Sequence, residues 1–140
     1  DIEQKIKDYF STKPEVAAVY LYGSQVRGDA VNGSDIDLAV LVTNKQKYTG
    51  FGIPQVVFAQ DLSEIIDKEV EVQDLAACRI DFSHRVLAEG RLLLSNNEPV
   101  RVVFEEEIFR RYFDLKPLFD EYYKFLGERA KRGEIGVRSL

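Results

Sequence analysis

Cysteine occurs once in this chain, at Cys78. A single thiol forms no internal disulfide and builds no cysteine-based zinc site. A reducing cytoplasm is therefore the expected compartment. Histidine is also single, and His84 has no triad partner near it in sequence. No apolar run approaches the roughly 20 residues of a membrane-spanning helix. A basic excess is missing too: 19 Lys and Arg against 24 Asp and Glu leave a net charge of −5. That balance argues against a protein built to grip a nucleic-acid backbone. There is no internal repeat and no low-complexity segment. The first residue is Asp1 rather than methionine, so a trimmed N-terminus is expected, and no secretory signal is recognisable.

What is present is ordinary for a globular domain: 140 residues, 45% hydrophobic and 31% charged. The length predicts one domain with a real core. Ile2, Ile6 and Phe10 recur at helical spacing, predicting a helix over 2–11 that Pro14 ends. Val16 to Tyr22 (VAAVYLY) is apolar, β-branched and aromatic, a buried strand. Gly23 stops it, and Ser24 is placed to cap a short helix over Gln25–Gly28; Asn32-Gly33-Ser34 is turn chemistry.

Asp35 to Val42 alternates, with Ile36, Leu38, Val40 and Val42 on one face and Asp35, Asp37, Ala39 and Leu41 on the other. Asn44 to Pro54 has no periodicity and predicts a mobile loop. Phe58, Leu62, Ile65 and Ile66 predict a second helix, and Glu69 to Leu75 alternates as another strand. A helix through Phe82, Val86 and Leu87 should stop at Gly90, followed by an edge strand over 91–94.

From Val100 to Arg132 the pattern is helical, with Phe104, Ile108, Phe113, Leu118, Tyr122 and Leu126 as expected buried positions. Pro117 inside it predicts a kink or two helices abutting near Asp114–Pro117. Gly133 onward reads as a loose tail. This order of elements predicts a small mixed α/β domain with a C-terminal helical arm: a core over 1–98 and an arm over 99–140.

The stretch from Leu21 to Val42 carries the chemistry. Asp35 and Asp37, two apart on a strand, project from one face with Cα atoms about 6.5–7 Å apart. Carboxylates so placed can share divalent ions lying roughly 4 Å apart. Magnesium suits them, because it takes oxygen ligands and binds one or two carboxylates together with substrate phosphates. Without metal, two such aspartates repel and one tends to stay protonated. Gly23 lets the backbone approach a phosphate closely, and Ser24 offers a hydroxyl at a helix start. Arg27 either reaches a phosphate or pairs with Asp29 or Asp35, and Ser34 completes the candidate nucleotide-binding set.

Glu71 is the expected third carboxylate, with Asp74, on the opposite face, as the alternative and more suited to a structural role. Ser24 also serves as a simple cap, and Glu71 equally fits a solvated strand face. His84 suits a surface or helix-packing place, and Cys78 a small buried residue or inert thiol. Glu105-Glu106-Glu107 reads as a solvated face. The aromatics Phe104, Phe109, Tyr112, Phe113, Phe119, Tyr122, Tyr123 and Phe125 are too many for one helix face. Most are expected in the core, and the surplus suits a partner-binding surface.

GSQVRGDAVNGSDID resembles the signature of the minimal nucleotidyltransferases of the DNA-polymerase-β-like superfamily, in which Gly-Ser is followed by ten residues and Asp-x-Asp. The strand VEVQDL, the segment HRVLAEGRLLLS and the arm RRYFDLKPLFDEYYKFLGERAKRG are similar to the MntA-type antitoxins of HEPN/MNT toxin–antitoxin pairs. The resemblance spans most of the chain. It implies a nucleotidyltransferase fold with a small mixed sheet flanked by helices, and ATP with Mg2+. It also implies transfer of AMP to a tyrosine of an all-helical HEPN-domain ribonuclease toxin (HepT-like), which silences the toxin.

By position, Gly23 and Ser24 would hold phosphate, and Asp35 and Asp37 metal. The family's third carboxylate is usually the Asp of a hydrophobic-Asp-hydrophobic triplet, which maps onto Val70-Glu71-Val72. Glu for Asp adds one methylene in a site that tolerates only about 0.5 Å. A protein adenylyltransferase is therefore expected. An antitoxin acting by contact alone with a weakened site is the second reading, and a small-molecule nucleotidyltransferase acting on an antibiotic hydroxyl the third.

Overall fold

The computed structural model describes residues 1–23, 36–48 and 53–133. Four strands form one sheet in the order β3-β2-β1-β4: β1 (Val16–Tyr22), β2 (Ile36–Val42), β3 (Val70–Asp74) and β4 (Arg91–Ser95). β1 runs antiparallel to both β2 and β4, while β2 and β3 are parallel, so the sheet is mixed as the sequence predicts. A parallel pair cannot be closed by a tight turn. The chain between β2 and β3 crosses over through helix α2 (Pro54–Ile66).

Helices cover both faces, which explains why β1 is apolar at nearly every position. On one face α1 (Ile2–Ser11) and α2 bring Ile6, Phe10, Phe58 and Leu62 against Val19, Leu38, Val40 and Val72. Phe10, Tyr48 and Tyr9 each meet the Phe58 ring edge-on, with centroids 5.2, 5.3 and 6.2 Å away. On the other face α3 (Ile80–Glu89) and α4 (Glu98–Lys131) bring Val86 and Phe104 against Ala17, Tyr20, Ala39, Leu41 and Leu75. The α3 helix stops at Gly90, where a Cβ would lie 2.5 Å from the Val86 carbonyl and 2.9 Å from that of Leu21. Only a residue without a side chain lets β4 begin so close to β1.

Three expectations are corrected. The segment after β2, expected to be a loop, contains a turn of 3-10 helix (Lys45–Tyr48) that buries the Tyr48 ring. Its hydroxyl donates to Glu15, a carboxylate only 5% exposed. The buried phenol anchors the segment, a cue that hydrophobic periodicity does not register. Residues 49–52 lie outside the described residues, as do the expected helix over Gln25–Gly28, the turn at Asn32–Ser34 and the tail from 134 onward.

The arm, second, is not two abutting helices, the alternative to a kink at Pro117: α4 is one helix of 34 residues, about 51 Å long. Proline removes the hydrogen bond to the carbonyl four residues back, that of Phe113. Phe113 is 72% exposed, so water can satisfy that oxygen. Third, Ile108 is the buried residue of α4, whereas Phe113, Leu118 and Tyr122 are all more than half exposed. α3 spans ten residues against the 34 of α4, so it covers only one side of the distal arm and leaves Leu118 and Tyr122 exposed.

Candidate active site

Strand register assembles the site. Tyr22, the last residue of β1, pairs with Asp37 of β2, and Asp37 pairs with Glu71 of β3. Partners in register point to the same side of a sheet, and neighbouring strands lie about 4.8 Å apart. A phenol and two carboxylates therefore stand in a row across three strands. They occupy the face covered by α3, since Asp37 alternates with Ala39 and Leu41, and the Tyr22 ring meets Phe82 edge-on at 5.6 Å. β3 is an edge strand, which leaves Glu71 exposed.

Gly23 closes the row. Its φ of +80° is the left-handed conformation that side chains resist. A Cβ there would lie 2.5 Å from Oδ2 of Asp37. Glycine is thus required twice over, for the turn and for the space the Asp37 carboxylate fills. Burial raises the Tyr22 hydroxyl, and the neighbouring acidic groups of Asp37, Cys78 and Glu71 raise it further, to about 12, with Arg85 opposing. Tyr22 stays a neutral phenol that reports the acidic field of the row. Beside it Tyr22, Gly23, Arg85, Val86 and Glu89 enclose a hollow of about 230 Å³.

Of the residues expected from sequence, Gly23, Asp37 and Glu71 come together. Ser24, Arg27, Ser34 and Asp35 lie outside the described residues. Among the described residues no three His, Cys, Asp or Glu side chains group as a metal site, and Asp35, the expected partner of Asp37, is not among them. Asp74 is structural: 4% exposed, it pairs with Lys45 at 2.5 Å and accepts the Ala76 N–H at 3.2 Å.

Cys78 donates to the Asp74 carbonyl at 3.2 Å, and burial, reinforced by the Asp74 charge, pushes its thiol up, which makes it inert. His84 packs between helices, stacked on Tyr112 at 3.6 Å with the rings 3° from parallel, and burial lowers its pKa. Glu105 corrects the expectation of a wholly solvated acidic run, for it accepts from Tyr20 and from Arg101, each at 2.5 Å. Sequence reasoning overlooked Tyr22 and Arg85. Tyr22 directly precedes Gly23, a legible cue, whereas nothing in the spacing of Arg85 places it at the hollow.

A mixed sheet with two carboxylates abreast on neighbouring strands, beside a glycine turn that leaves them room, has the parts of a nucleotidyltransferase. The chain belongs to the polymerase beta nucleotidyltransferase family, whose profile matches residues 4–99. It is 26% identical over 125 residues to the protein adenylyltransferase MntA of Shewanella oneidensis, covering 86% of each chain. Its fold is that of a chain in a crystal structure of a toxin–antitoxin with AMP-PNP (TM-score 0.73, 23% identity, 89% of this chain and 97% of that one). It is also that of a chain in the toxin–antitoxin MntA–HepT (TM-score 0.68, 21% identity, 89% and 96%). A third such chain comes from the complex of a tri-AMPylated Shewanella oneidensis HEPN toxin with its MNT antitoxin (TM-score 0.68, 21% identity, 89% and 95%). Among the described residues no helix is long and apolar enough to cross a membrane.

Proposed function

We infer that this chain is an antitoxin that transfers AMP from ATP to a tyrosine of its cognate HEPN-domain ribonuclease toxin. The observation that carries this reading is the register of Asp37 with Glu71, with Gly23 shaped around the Asp37 carboxylate. The likeness to MntA supports the acceptor being a protein. Asp35, Asp37 and Glu71 would hold Mg2+, and an all-oxygen donor set suits that ion. The ion would neutralise the triphosphate and favour attack at the α-phosphorus. Gly23, Ser24, Arg27 and Ser34 would position the phosphates.

In the reaction the tyrosine oxygen bonds to the α-phosphorus as the bond to the β-phosphate oxygen breaks. Pyrophosphate leaves with that electron pair, and the phenolic proton passes to the Glu71 carboxylate. The work of the protein is positioning and neutralising charge. Incubation with labelled ATP, Mg2+ and the cognate toxin should place label on toxin tyrosine; intact complex without label would overturn the transferase reading.

Contact alone is the second reading, favoured by the Glu at position 71 and by the exposed aromatics of α4. Neutralisation that survives Asp35→Asn with Asp37→Asn would select it.

A further inference from the structure

On α4, Phe104, Ile108 and Arg111 line a groove of about 860 Å³ whose opposite wall includes Leu75 and Ile80. Their spacing of four and three residues continues through Leu115, Leu118, Tyr122 and Phe125. Alternating steps of three and four keep side chains on one stripe, the pattern by which a helix receives another helix. Leu115 is half-buried, and beyond it the continuation is exposed: Leu118 by 62%, Tyr122 by 51% and Phe125 by 49%. It is distinct from the side facing α3, where Tyr112 stacks on His84 and Tyr123 donates to Asp81 at 2.8 Å.

Arg111 and Arg129 fall on the stripe at its two ends, and between them the charge beside it is acidic: Asp114, Glu121 and Glu128 recur every seven residues along one margin, while Lys116 and Lys124 fall toward the far side of the helix. A second copy is a poor occupant. Laid antiparallel, it would set this acidic row against itself, and laid parallel it would offer Phe119 and Leu126 where cations are needed. Anionic lipid and nucleic acid are disfavoured by the same row. The complementary occupant is a foreign amphipathic helix with a basic margin.

The geometry points to the stripe from Leu115 to Phe125 as the seat of one such helix, supplied by the toxin and lying lengthwise along α4. This rests on the antitoxin reading above, which supplies the partner. It adds the surface, the secondary structure of what docks there and the sign of its charge.

The test is site-specific photo-cross-linking in the full complex with the cognate toxin, with the photoreactive residue at Tyr122 or, as control, at exposed Lys5 on α1. Cross-links from position 122 to a toxin helix bearing Lys or Arg, and none from position 5, are expected. Cross-links to another copy of this chain, or to the toxin only from position 5, would overturn the proposal. In parallel, Glu121→Lys with Glu128→Lys should weaken toxin binding at least about tenfold at low salt, and Glu121→Gln with Glu128→Gln less. Both pairs are on the exposed side of a helix and leave the sheet untouched. Unchanged affinity in both, with wild-type binding intact, would sink the docking surface and leave the transferase reading standing. A wild-type chain that neither binds nor labels the toxin would remove both.

Discussion

Glu71 and Asp74 lie three residues apart on the same short strand, in opposite electrostatic settings. Asp74 lies on the face covered by α1 and α2, 4% exposed, with the Lys45 ammonium and the Ala76 N–H as donors. Glu15, just before β1, is similar: buried, it accepts from Tyr48 and from Lys47. Glu71 points the other way, exposed, with another carboxylate as its partner in register. A carboxylate supplied with donors and taken out of water holds elements together, because an unpaired buried charge is too costly to keep. Carboxylates ranged beside each other repel, and an external cation relieves that repulsion.

The contrast can be broken at either end. The largest effect is expected from Asp37→Asn, which should cut AMP transfer about 10²–10³-fold, the scale of losing one group that stabilises transition-state charge. The melting temperature should change little, since the amide keeps the shape of the carboxylate and the repulsion from Glu71 is relieved. Rate and thermal unfolding measured on one preparation decide it: a fall in both would place Asp37 with the structural acids.

Gly23→Ala should come next, because the new Cβ collides with the Asp37 carboxylate at 2.5 Å and sits at a positive φ. The left-handed conformation alone costs about 1 kcal/mol. Activity should fall with it, and chemical denaturation would report the stability loss.

On the structural side, Asp74→Ala should destabilise the fold by about 1–2 kcal/mol. That is below the usual figure for breaking a buried pair, because Lys45 is itself 45% exposed and screened by solvent. Activity per folded molecule should be nearly unchanged, which distinguishes Asp74 from Glu71.

The smallest effect concerns pH. Burial pushes the Glu15 carboxyl up, but the Tyr48 hydroxyl, a backbone N–H and Lys47 outweigh it, so its folded pKa is lowered. A lowered carboxylate pKa contributes stability that is full above the unfolded value, about 4.3, and is lost as pH falls through the folded one. Tyr48→Phe should flatten this acid limb and cost about 1 kcal/mol at neutral pH. Urea titrations between neutral pH and about pH 3 would show it.

An unbroken apolar run placed β1, and alternation placed β2 and β3, each to within a residue among the described positions; alternation also put Asp37 and Glu71 on chemically usable faces. Their adjacency was not legible, because register across a parallel pair depends on how the crossover packs. The arm was misjudged for a related reason. Phe113, Leu118 and Tyr122 carry the spacing of a buried face, yet burial depends on whether another element reaches that far. The Lys45–Tyr48 turn escaped notice because one buried phenol, not periodicity, anchors it.

The sequence by itself determined the kind of elements, the Gly-Ser and Asp-x-Asp spacing, and the family to which the chain belongs, since propensity, turn chemistry and motif spacing act over a few residues. Tertiary structure alone decided that Glu71 stands in register with Asp37, that Asp74 is an anchor, and that Gly23 leaves the room the Asp37 carboxylate occupies. It also decided that one stripe of the distal part of α4, with Leu118, Tyr122 and Phe125, remains exposed. Each depends on the distance between segments far apart in the chain, which packing sets and local pattern cannot.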